Sequence, residues 1–250
     1  SRFLENIINM INKSFCLKNK NIILTGCSGF LGEYISKALI KEEAKVIMLD
    51  IVKPKFKYDS KYGNFFKCDL TSEKEILKVM KLISKQYKYV DVLINNAASK
   101  GKDKKNFYED FEKYKLKKLN DVMNANLNTM FLISKLFLKL LKKSTSPSII
   151  LLSSVFSSKI GADQRVYRDK KGKKLDFNNP VSYQLSKSAV VGFGKYLSTY
   201  YGDLGIRVNT ILPGGVFNYQ DKTFVKKYSE KVPLGRMAKP HEVVNPIIFL

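Results

Sequence analysis

The stretch from Asn21 to Leu39 constrains the fold of this chain more than any other. It begins with three consecutive aliphatic residues, Ile22 to Leu24, which are too few for a helix and typical of a strand buried on both faces. A glycine-rich turn follows at once, with Gly26, Gly29 and Gly32 three residues apart. Apolar residues then recur at helical spacing to the end of the stretch. The pattern predicts a strand, a tight turn and a helix in direct succession.

A glycine turn in this position predicts a binding site for pyrophosphate. The backbone N–H groups and the positive dipole end at the start of a helix attract an anion, and glycine leaves room for its approach. An acid about 20 residues later, at the end of a second strand, would accept hydrogen bonds from an adenosine ribose, and Asp50 stands there. The contacts predicted for a dinucleotide in this part of the chain are Gly26, Ser28, Gly29, Phe30, Leu31, Gly32, Asp50 and Ile51.

Strand-like and helical patterns alternate along the rest of the chain. Strands are predicted at 65–70, 90–94, 148–154 and 205–211, and helices after residue 72 and at 119–141, 181–204 and 242–250. This alternation is typical of an α/β protein with one doubly wound parallel sheet and helices on both faces, here covering residues 21–250. Residues 1–20 are interpreted as an N-terminal helical extension. The sequence ends inside an apolar helix, which predicts a final strand beyond residue 250.

Small, amide and hydroxyl residues follow several predicted strands, at the edge where open parallel sheets bind ligands. These groups are Asp69 and Leu70, then Asn96, Ala97 and Ala98, then Ser153 and Ser154, and finally Pro213, Gly214, Gly215 and Val216. Between residues 156 and 180 the sequence turns polar, with R-D-K-K-G-K-K at its centre. That segment is interpreted as a surface insertion or lid.

The composition limits the classes of partner. The formal net charge is +23, but only five of the 45 basic residues are arginine and the lysines are spread along the chain. Arginine is the residue favoured for bidentate phosphate or base recognition, so we interpret the charge as a solvated surface that attracts anionic substrates and not as a nucleic-acid site. No apolar run approaches the roughly 18 residues of a membrane span, and no signal peptide is recognised.

The three cysteines, Cys16, Cys27 and Cys68, show no paired spacing, and with the single histidine, His241, they form no metal-ligand pattern. We therefore expect no metal site and a reduced, cytoplasmic setting.

A Tyr-x-x-x-Lys spacing places a phenol and an ammonium on one face of a helix. It occurs three times, at Tyr114/Lys118, Tyr167/Lys171 and Tyr183/Lys187. The first two lie in lysine-rich polar stretches and are interpreted as coincidences. The third lies on a helix rich in small residues, downstream of the strand that ends in two serines, and is the candidate for chemistry.

With these pieces in order, the sequence resembles a classical short-chain dehydrogenase/reductase over about residues 20–250. The matching segments are T-G-C-S-G-F-L-G at 25–32, C-D-L at 68–70, N-N-A-A at 95–98, N-A-N-L at 124–127, S-S at 153–154, Y-Q-L-S-K at 183–187 and P-G-G-V at 213–216. The resemblance implies a Rossmann fold, and a catalytic tetrad of Asn126, Ser154, Tyr183 and Lys187. It also implies cofactor contacts from Tyr183 and Lys187 and from the strand-end residues Asp69, Leu70, Asn96, Ala97, Ala98, Pro213, Gly214, Gly215 and Val216.

The chemistry of such a tetrad can be stated in physical terms. A free phenol has a pKa near 10, so acid–base work near neutrality needs a shift of about three units, roughly 4 kcal/mol. We expect Lys187 and the positive nicotinamide ring to lower the pKa of Tyr183. Ser154 would hold the substrate oxygen, and Asn126 would anchor a water that links Lys187 to solvent.

Three features depart from the family pattern, and they bear on the cofactor. The spacing G-x-x-G-x-x-G is closer to extended members of the family, Ala98 replaces a usual glycine, and Asn218 stands where a threonine is usual. Asp50 favours NAD, because a 2′-phosphate would meet its negative charge. Lys53 and Lys55 leave NADP open.

The expected function is oxidoreduction between an alcohol and a carbonyl. The segments at 213–218 and 233–238 are similar to a bacterial subgroup that includes flagellin modification protein A, associated with nonulosonic acid pathways. We therefore expect a sugar-derived, polar or anionic substrate and a homodimer or homotetramer with the 119–141 helix at an interface. One alternative is a nucleotide-sugar epimerase or dehydratase that retains NAD. The other is a non-catalytic nucleotide- or nucleic-acid-binding protein.

Overall fold

A six-stranded, fully parallel sheet forms the centre of the protein, in the order β3-β2-β1-β4-β5-β6. The structure is a computed structural model, and it describes residues 16–100, 105–161, 165–173 and 179–250. The chain runs outward from β1 to β3 and then returns to β4 on the other side of β1. This reversal opens a crevice between β1 and β4 at the carboxyl ends of the strands, where ligands bind in sheets of this kind.

The strands and longer helices alternate as the sequence predicts. The strands are β1 (Asn21–Thr25), β2 (Lys45–Asp50), β3 (Gly63–Lys67), β4 (Val92–Asn95), β5 (Ser148–Leu152) and β6 (Arg207–Ile211). The helices are α1 (Phe30–Lys41), α2 (Glu73–Gln86), α3 (Leu116–Met123), α4 (Thr129–Leu141), α5 (Val181–Tyr200), α6 (Lys222–Ser229) and α7 (Pro240–Phe249). Short 3-10 turns lie at Lys105–Tyr108, Phe111–Lys113, Val155–Ser157 and Gly202–Leu204.

The two faces of the sheet are covered by different helices. Within β1, Ile23 packs into a core with α2, α4 and α5, whereas its neighbours Ile22 and Leu24 pack into a second core with α1 and α7. All three residues are at most 1% exposed. The central strands are therefore apolar on both faces, which explains their uninterrupted aliphatic runs. The predicted doubly wound fold is confirmed.

Side-chain hydrogen bonds mark where one helix begins and where another is interrupted. Ser72 is the N-cap of α2 and accepts a hydrogen bond from Glu75 N at 3.4 Å. The predicted 119–141 helix is instead two α-helices joined by a π-helical turn at Asn124–Asn128. Thr129 stabilises that turn, because its hydroxyl donates to the carbonyl of Asn124 at 3.1 Å. The break follows from side-chain bonding that a periodic apolar pattern does not record.

Some predictions fall on residues that the structure does not describe. Most of the N-terminal extension, 1–15, lies outside the described residues, and so do 162–164 and 174–178 of the segment predicted as a lid. Among the helices that are described, none is both long and apolar enough to cross a membrane. The described part of the chain holds no group of three or more histidine, cysteine, aspartate or glutamate side chains arranged for a metal ion.

Candidate active site

The three glycines of the first turn have different physical reasons to be glycine. Gly26 adopts φ +69°, and a Cβ there would lie 2.7 Å from the Cα of Ala97. A Cβ on Gly32 would lie 1.9 Å from the carbonyl oxygen of Gly26. At Gly29 the nearest atom of the protein would be 3.4 Å away, an ordinary contact. The first and third glycines are therefore required by packing of the chain, and Gly29 leaves open space at the start of α1.

The start of α1 fits a pyrophosphate group. Gly29 is its N-cap and has no side chain to accept the N–H groups of the first turn, which suits an incoming anion. Asp50, at the end of β2, accepts hydrogen bonds from Ser28 N at 2.9 Å and Val52 N at 3.2 Å. A carboxylate has about four lone-pair sites, so Asp50 retains the capacity to accept from a ribose hydroxyl. These residues fit a dinucleotide cofactor.

Asn96 fixes the crevice between the first and fourth strands. Its Nδ2 donates to the carbonyl oxygens of Thr25 and Gly26, both at 3.0 Å. The Thr25 hydroxyl in turn accepts from the backbone N–H groups of Asn96 and Ala97, both at 3.1 Å. The amide-rich strand end therefore holds the glycine turn in place. Asp69, by contrast, uses its carboxylate to accept from the N–H and hydroxyl of Thr71.

Asn126 lies in the π-helical turn and ties three segments together. It is fully buried, and its Oδ1 accepts a hydrogen bond from Ser99 N at 2.7 Å. Its Nδ2 donates to the hydroxyl of Ser186 on α5 at 3.2 Å. Asparagine is a poor helix former, so this placement indicates a role for its side chain. The loop after β4, the turn and α5 are joined at one amide.

Tyr183, Lys187 and Ser154 meet where β5 ends against α5. The Tyr183 hydroxyl is hydrogen-bonded to the hydroxyl of Ser154. The Lys187 Nζ donates to the carbonyl of Leu152 at 2.8 Å and lies 6.0 Å from the centre of the Tyr183 ring. Ser153 donates to the backbone carbonyl of Lys187 at 2.7 Å and helps to hold the helix on the strand. The geometry places a phenol, an ammonium and a hydroxyl at the carboxyl edge of the sheet.

Burial governs the protonation of this group. It raises the pKa of the Tyr183 phenol above its ordinary value, and the hydrogen bond from Ser154 only partly opposes that effect. It also lowers the pKa of the Lys187 ammonium to about 8. The expected lowering of the Tyr183 pKa is therefore not seen in the protein alone. The reason is that the Lys187 ammonium donates its hydrogen bond to a backbone carbonyl and not to the phenol. Burial therefore has the largest effect on the pKa of the phenol.

A cavity of about 550 Å³ opens above these side chains. The predicted site residues that line it are Leu31, Asn96, Ala98, Asn126, Ser154, Tyr183, Lys187, Pro213, Gly214, Gly215 and Val216. The predicted residues outside its wall are Gly26, Ser28, Gly29, Phe30, Gly32, Asp50, Ile51, Asp69, Leu70 and Ala97. The cavity therefore covers the reacting end of the predicted site, and Asp50 with the glycine turn lies toward the other end.

The last part of the wall comes from the segment after β6. Gly215 N donates to the hydroxyl of Tyr228 on α6, and a Cβ on Gly215 would lie 2.6 Å from the ring carbon that carries that hydroxyl. The backbone of Val155 donates to the carbonyl of Pro213 at 3.1 Å. These contacts join the glycine pair to the turn after β5, so the wall is built by tertiary packing.

Sequence reasoning missed several residues of the cavity wall. They are Ser99, Lys100, Phe107, Tyr108, Leu152, Val155, Phe156, Tyr167, Asn179, Pro180 and Gln220. Most lie in loops that carry no periodic pattern. A signal existed for Lys100, which follows the strand-end residues Asn95 to Ala98 by two positions.

Comparison with known proteins gives the family. A family model described as short chain dehydrogenase matches residues 20–228. The 3-oxoacyl-[acyl-carrier-protein] reductase FabG of Buchnera aphidicola subsp. Schizaphis graminum is 28% identical over 242 residues, covering 94% of this chain and 90% of that protein. The 2-dehydro-3-deoxy-D-gluconate 5-dehydrogenase of Dickeya dadantii is 28% identical over 253 residues, covering 96% and 91%.

A solved structure agrees with these sequence matches. The short chain dehydrogenase of Leptospira borgpetersenii with bound NAD+ is 32% identical and covers 96% of this chain and 88% of its own, with a TM-score of 0.83. The family assignment sets aside the non-catalytic alternative. This chain belongs to the short chain dehydrogenase family and is an NAD(P)-dependent oxidoreductase that interconverts an alcohol and a carbonyl.

Proposed function

We propose that this enzyme oxidises or reduces a sugar-derived substrate, with Tyr183 as its acid–base residue. The observation that carries the proposal is the convergence of Tyr183, Ser154, Lys187 and Asn126 on one cavity beside the glycine turn. NAD(P) supplies, when bound, the acceptor or donor of hydride at the carbon that carries the substrate oxygen. The chain must then bind that oxygen and move its proton.

Tyr183 moves the proton at its phenol oxygen. In reduction it gives the proton to the developing alkoxide, and in oxidation it takes the proton of the alcohol. Because burial raises the pKa of the phenol, the resting group is protonated and ready to act as the acid. Lys187, buried under the ring, stabilises the phenolate by its positive charge once the proton has left.

Ser154 and Asn126 complete the proposed tetrad. The Ser154 hydroxyl already bonds the phenol, so a substrate oxygen at the same place would accept from both groups. Asn126 holds the loop after β4 against α5, and we propose that it also anchors a water that links Lys187 to solvent. Asn126 thus keeps the geometry of the pocket and serves the proton path.

We propose NAD as the preferred cofactor. The Asp50 carboxylate lies at the end of β2 and is anchored by two backbone N–H groups, which leaves its charge facing any 2′-phosphate. Lys53 and Lys55 are exposed on the next loop and are the residues that would favour NADP. The ratio of kcat/KM for NAD to kcat/KM for NADP is expected to exceed one, and a ratio below one would reverse this assignment.

The substrate class is proposed from the chemistry of the cavity and from relatives. Hydroxyl and amide groups line its wall, which suits a polyhydroxylated molecule. One relative, by its name, acts on a keto-deoxy sugar acid. A role in flagellin glycan or nonulosonic acid synthesis, as a cytoplasmic enzyme, is the finer form of this proposal and rests on the segments at 213–218 and 233–238.

A second candidate is reduction of a 3-oxoacyl thioester. The relative from Buchnera aphidicola is named for that activity, and its identity to this chain equals that of the sugar-acid enzyme. The strongly basic surface would attract an acidic carrier protein. The two candidates differ in the length of the substrate and in the polarity of the group beside the reacting carbon.

The test is a direct comparison of both classes, read by the absorbance of reduced nicotinamide. Polyols, sugar acids, sugar phosphates and nucleotide sugars are assayed with NAD+ for oxidation, and 3-oxoacyl thioesters with NADH and NADPH for reduction. We expect kcat/KM to be highest for a sugar derivative, and Tyr183→Phe to lower it about 10³-fold. Higher kcat/KM for the thioester would assign the second candidate, and net NADH release excludes an epimerase that retains its cofactor.

We also propose that the enzyme is a homodimer or homotetramer. Phe131 on α4 and Leu185 on α5 are 49% and 47% exposed, and the ring of Phe131 packs 6.3 Å from that of Phe193. An exposed apolar surface of this kind is typical of a contact between subunits. The molar mass in solution measured by light scattering would show two or four chains, and a monomer would refute the proposal.

A further inference from the structure

Positive charges, without negative ones, line the described wall of the cavity above Tyr183. Its described lining residues include two lysines, Lys100 and Lys187, and no aspartate or glutamate. Lys187 is buried beneath the phenol, whereas Lys100 is exposed on the opposite loop, after β4. The wall therefore presents a second positive charge that the reaction at Tyr183 does not use.

Lys100 is held in place from two sides. Its Nζ donates to the hydroxyl of Tyr108 at 2.6 Å and lies 4.9 Å from the centre of that ring, and 5.8 Å from the centre of the Phe107 ring. Its neighbour Ser99 is bonded through its backbone N–H to Asn126 at 2.7 Å. The ammonium is thus positioned by neutral partners, which leave its charge uncompensated.

A second lysine lies directly behind it. Lys118 on α3 is only 5% exposed, and its Nζ donates to the backbone carbonyl of Lys100 at 2.8 Å. In the described part of the chain, neither lysine pairs with a carboxylate. Burial of an ammonium without a counter-ion costs several kcal/mol, and this applies to Lys118. An external anion bound at the exposed Lys100 would therefore stabilise the buried charge behind it as well.

We infer that Lys100 binds an anionic group of the substrate, a carboxylate or a phosphate, and so selects acidic over neutral alcohols. The inference rests on the proposed function, because it concerns the same cavity. Lys118 is a positioning residue that holds the backbone of Lys100 and adds to the positive field. Lys100 takes the end of the substrate remote from the reacting carbon, which lies at Tyr183.

The experiment compares matched substrates in the wild type, Lys100→Met and Lys100→Arg. D-gluconate and D-glucitol 6-phosphate are the anionic substrates, and D-glucitol is the neutral one with the same carbon chain. The readout is the ratio of kcat/KM for each anion to kcat/KM for D-glucitol. Lys100→Met should lower that ratio about 10- to 100-fold, the loss of one charge-assisted hydrogen bond, and Lys100→Arg should restore part of it. A drop for one anion alone identifies the group as carboxylate or phosphate.

Lys81→Met is the matched control, since Lys81 is an exposed lysine on α2 outside the cavity and its loss changes the net charge equally. A ratio that is unchanged in Lys100→Met, or that falls equally in Lys81→Met, overturns the inference and leaves the proposed function standing.

If none of these alcohols is oxidised, a binding measurement tests the anion site at Lys100 separately from the proposed function. The protein saturated with NAD+ is heated with gluconate or with inorganic phosphate, and the shift in Tm is compared between the wild type and Lys100→Met. A rise in Tm that disappears in the variant supports the anion site even though the proposed function has failed. No rise with either anion, or an equal rise in both proteins, overturns the anion site.

Discussion

Two tyrosine–lysine pairs of identical spacing have a buried lysine in this protein, and only one of the two pairs faces the cavity. Lys187 is 3% exposed and Lys118 is 5% exposed, and each donates to a backbone carbonyl at 2.8 Å. Each tyrosine also bonds a serine: Tyr183 bonds Ser154, and Tyr114 bonds Ser182. The interpretation of the Tyr114/Lys118 spacing as a coincidence stays a prediction, and the structure adds that its lysine is buried.

The two pairs differ in what surrounds them. Tyr183 and Lys187 pack on the end of β5, where the phenol reaches the cavity, whereas Tyr114 is absent from the cavity wall and joins the start of α3 to the start of α5. The third spacing, at Tyr167, places its phenol in the wall but leaves Lys171 exposed. The spacing alone therefore does not determine whether the lysine is buried, and the neighbouring strand end determines whether the pair lies at the cavity.

The largest expected effect is the difference in kcat/KM between a variant that lacks the phenol oxygen of Tyr183 and one that lacks the phenol oxygen of Tyr114. Tyr183→Phe should lower kcat/KM about 10³-fold, because the proton of the substrate oxygen loses its acid–base partner. Tyr114→Phe should change kcat/KM by less than about 3-fold, since its hydroxyl bonds a serine away from the cavity. Steady-state kinetics on both variants measures the contrast, and comparable losses would mean that both pairs serve the reaction.

The next effect concerns the free energy of unfolding as a function of pH. Burial lowers the pKa of Lys187 to about 8 in the folded protein, against about 10.4 in the unfolded chain. Between these values the unfolded chain binds more protons, so Lys187 makes the free energy of unfolding increase as pH rises from 8 to 10. The full span corresponds to about 3 kcal/mol.

Urea unfolding at several pH values compares Lys187→Met with the exposed Lys81→Met, which removes an equal charge. The pH-dependent increase should be smaller in Lys187→Met than in the control. Identical slopes in the two variants would show that the Lys187 ammonium is not destabilised by burial.

The third expected effect is a difference in kcat/KM between variants of Ser154 and Ser182, the serines beside the two tyrosines. Ser154→Ala should lower kcat/KM about 10²-fold, the size expected for loss of one hydrogen bond to the developing charge. Ser182→Ala, at a residue that is also buried, should leave kcat/KM within about 3-fold. Equal loss of activity in both variants would contradict the assignment of Ser154 to the substrate oxygen.

The smallest effect is on stability. Ser182→Ala removes the hydrogen bond to Tyr114 and leaves a partly buried phenol without that partner, so the free energy of unfolding should fall by about 1 kcal/mol. The double variant with Tyr114→Phe should lose less than the sum of the single changes, because both remove the same bond. Strictly additive losses in chemical denaturation would show that the bond contributes nothing.

The residues predicted for the cofactor are encoded more locally in the sequence than the residues that line the substrate end of the cavity. The glycine turn and Asp50 lie close together along the chain, and their spacing follows from the geometry of strand, turn and helix. The loop that carries Lys100, by contrast, is held at the cavity by hydrogen bonds that no local pattern encodes: Ser99 to Asn126, Lys100 to Tyr108 and Lys118 to the backbone of Lys100. This part of the cavity wall is formed by loops without a periodic pattern, so its residues were not predicted from the sequence.

The sequence by itself determined the parallel α/β fold, the family and the choice of Tyr183 and Lys187 as the candidate pair. The reason is that buried strands and short-range spacings depend on residues that are close together along the chain. Only the tertiary structure decided the rest. It shows that Lys118 is buried, that Asn126 lies in a π-helical turn, and that burial raises the pKa of Tyr183. Burial and hydrogen bonding depend on every element packed around a side chain, and a linear pattern does not contain that information.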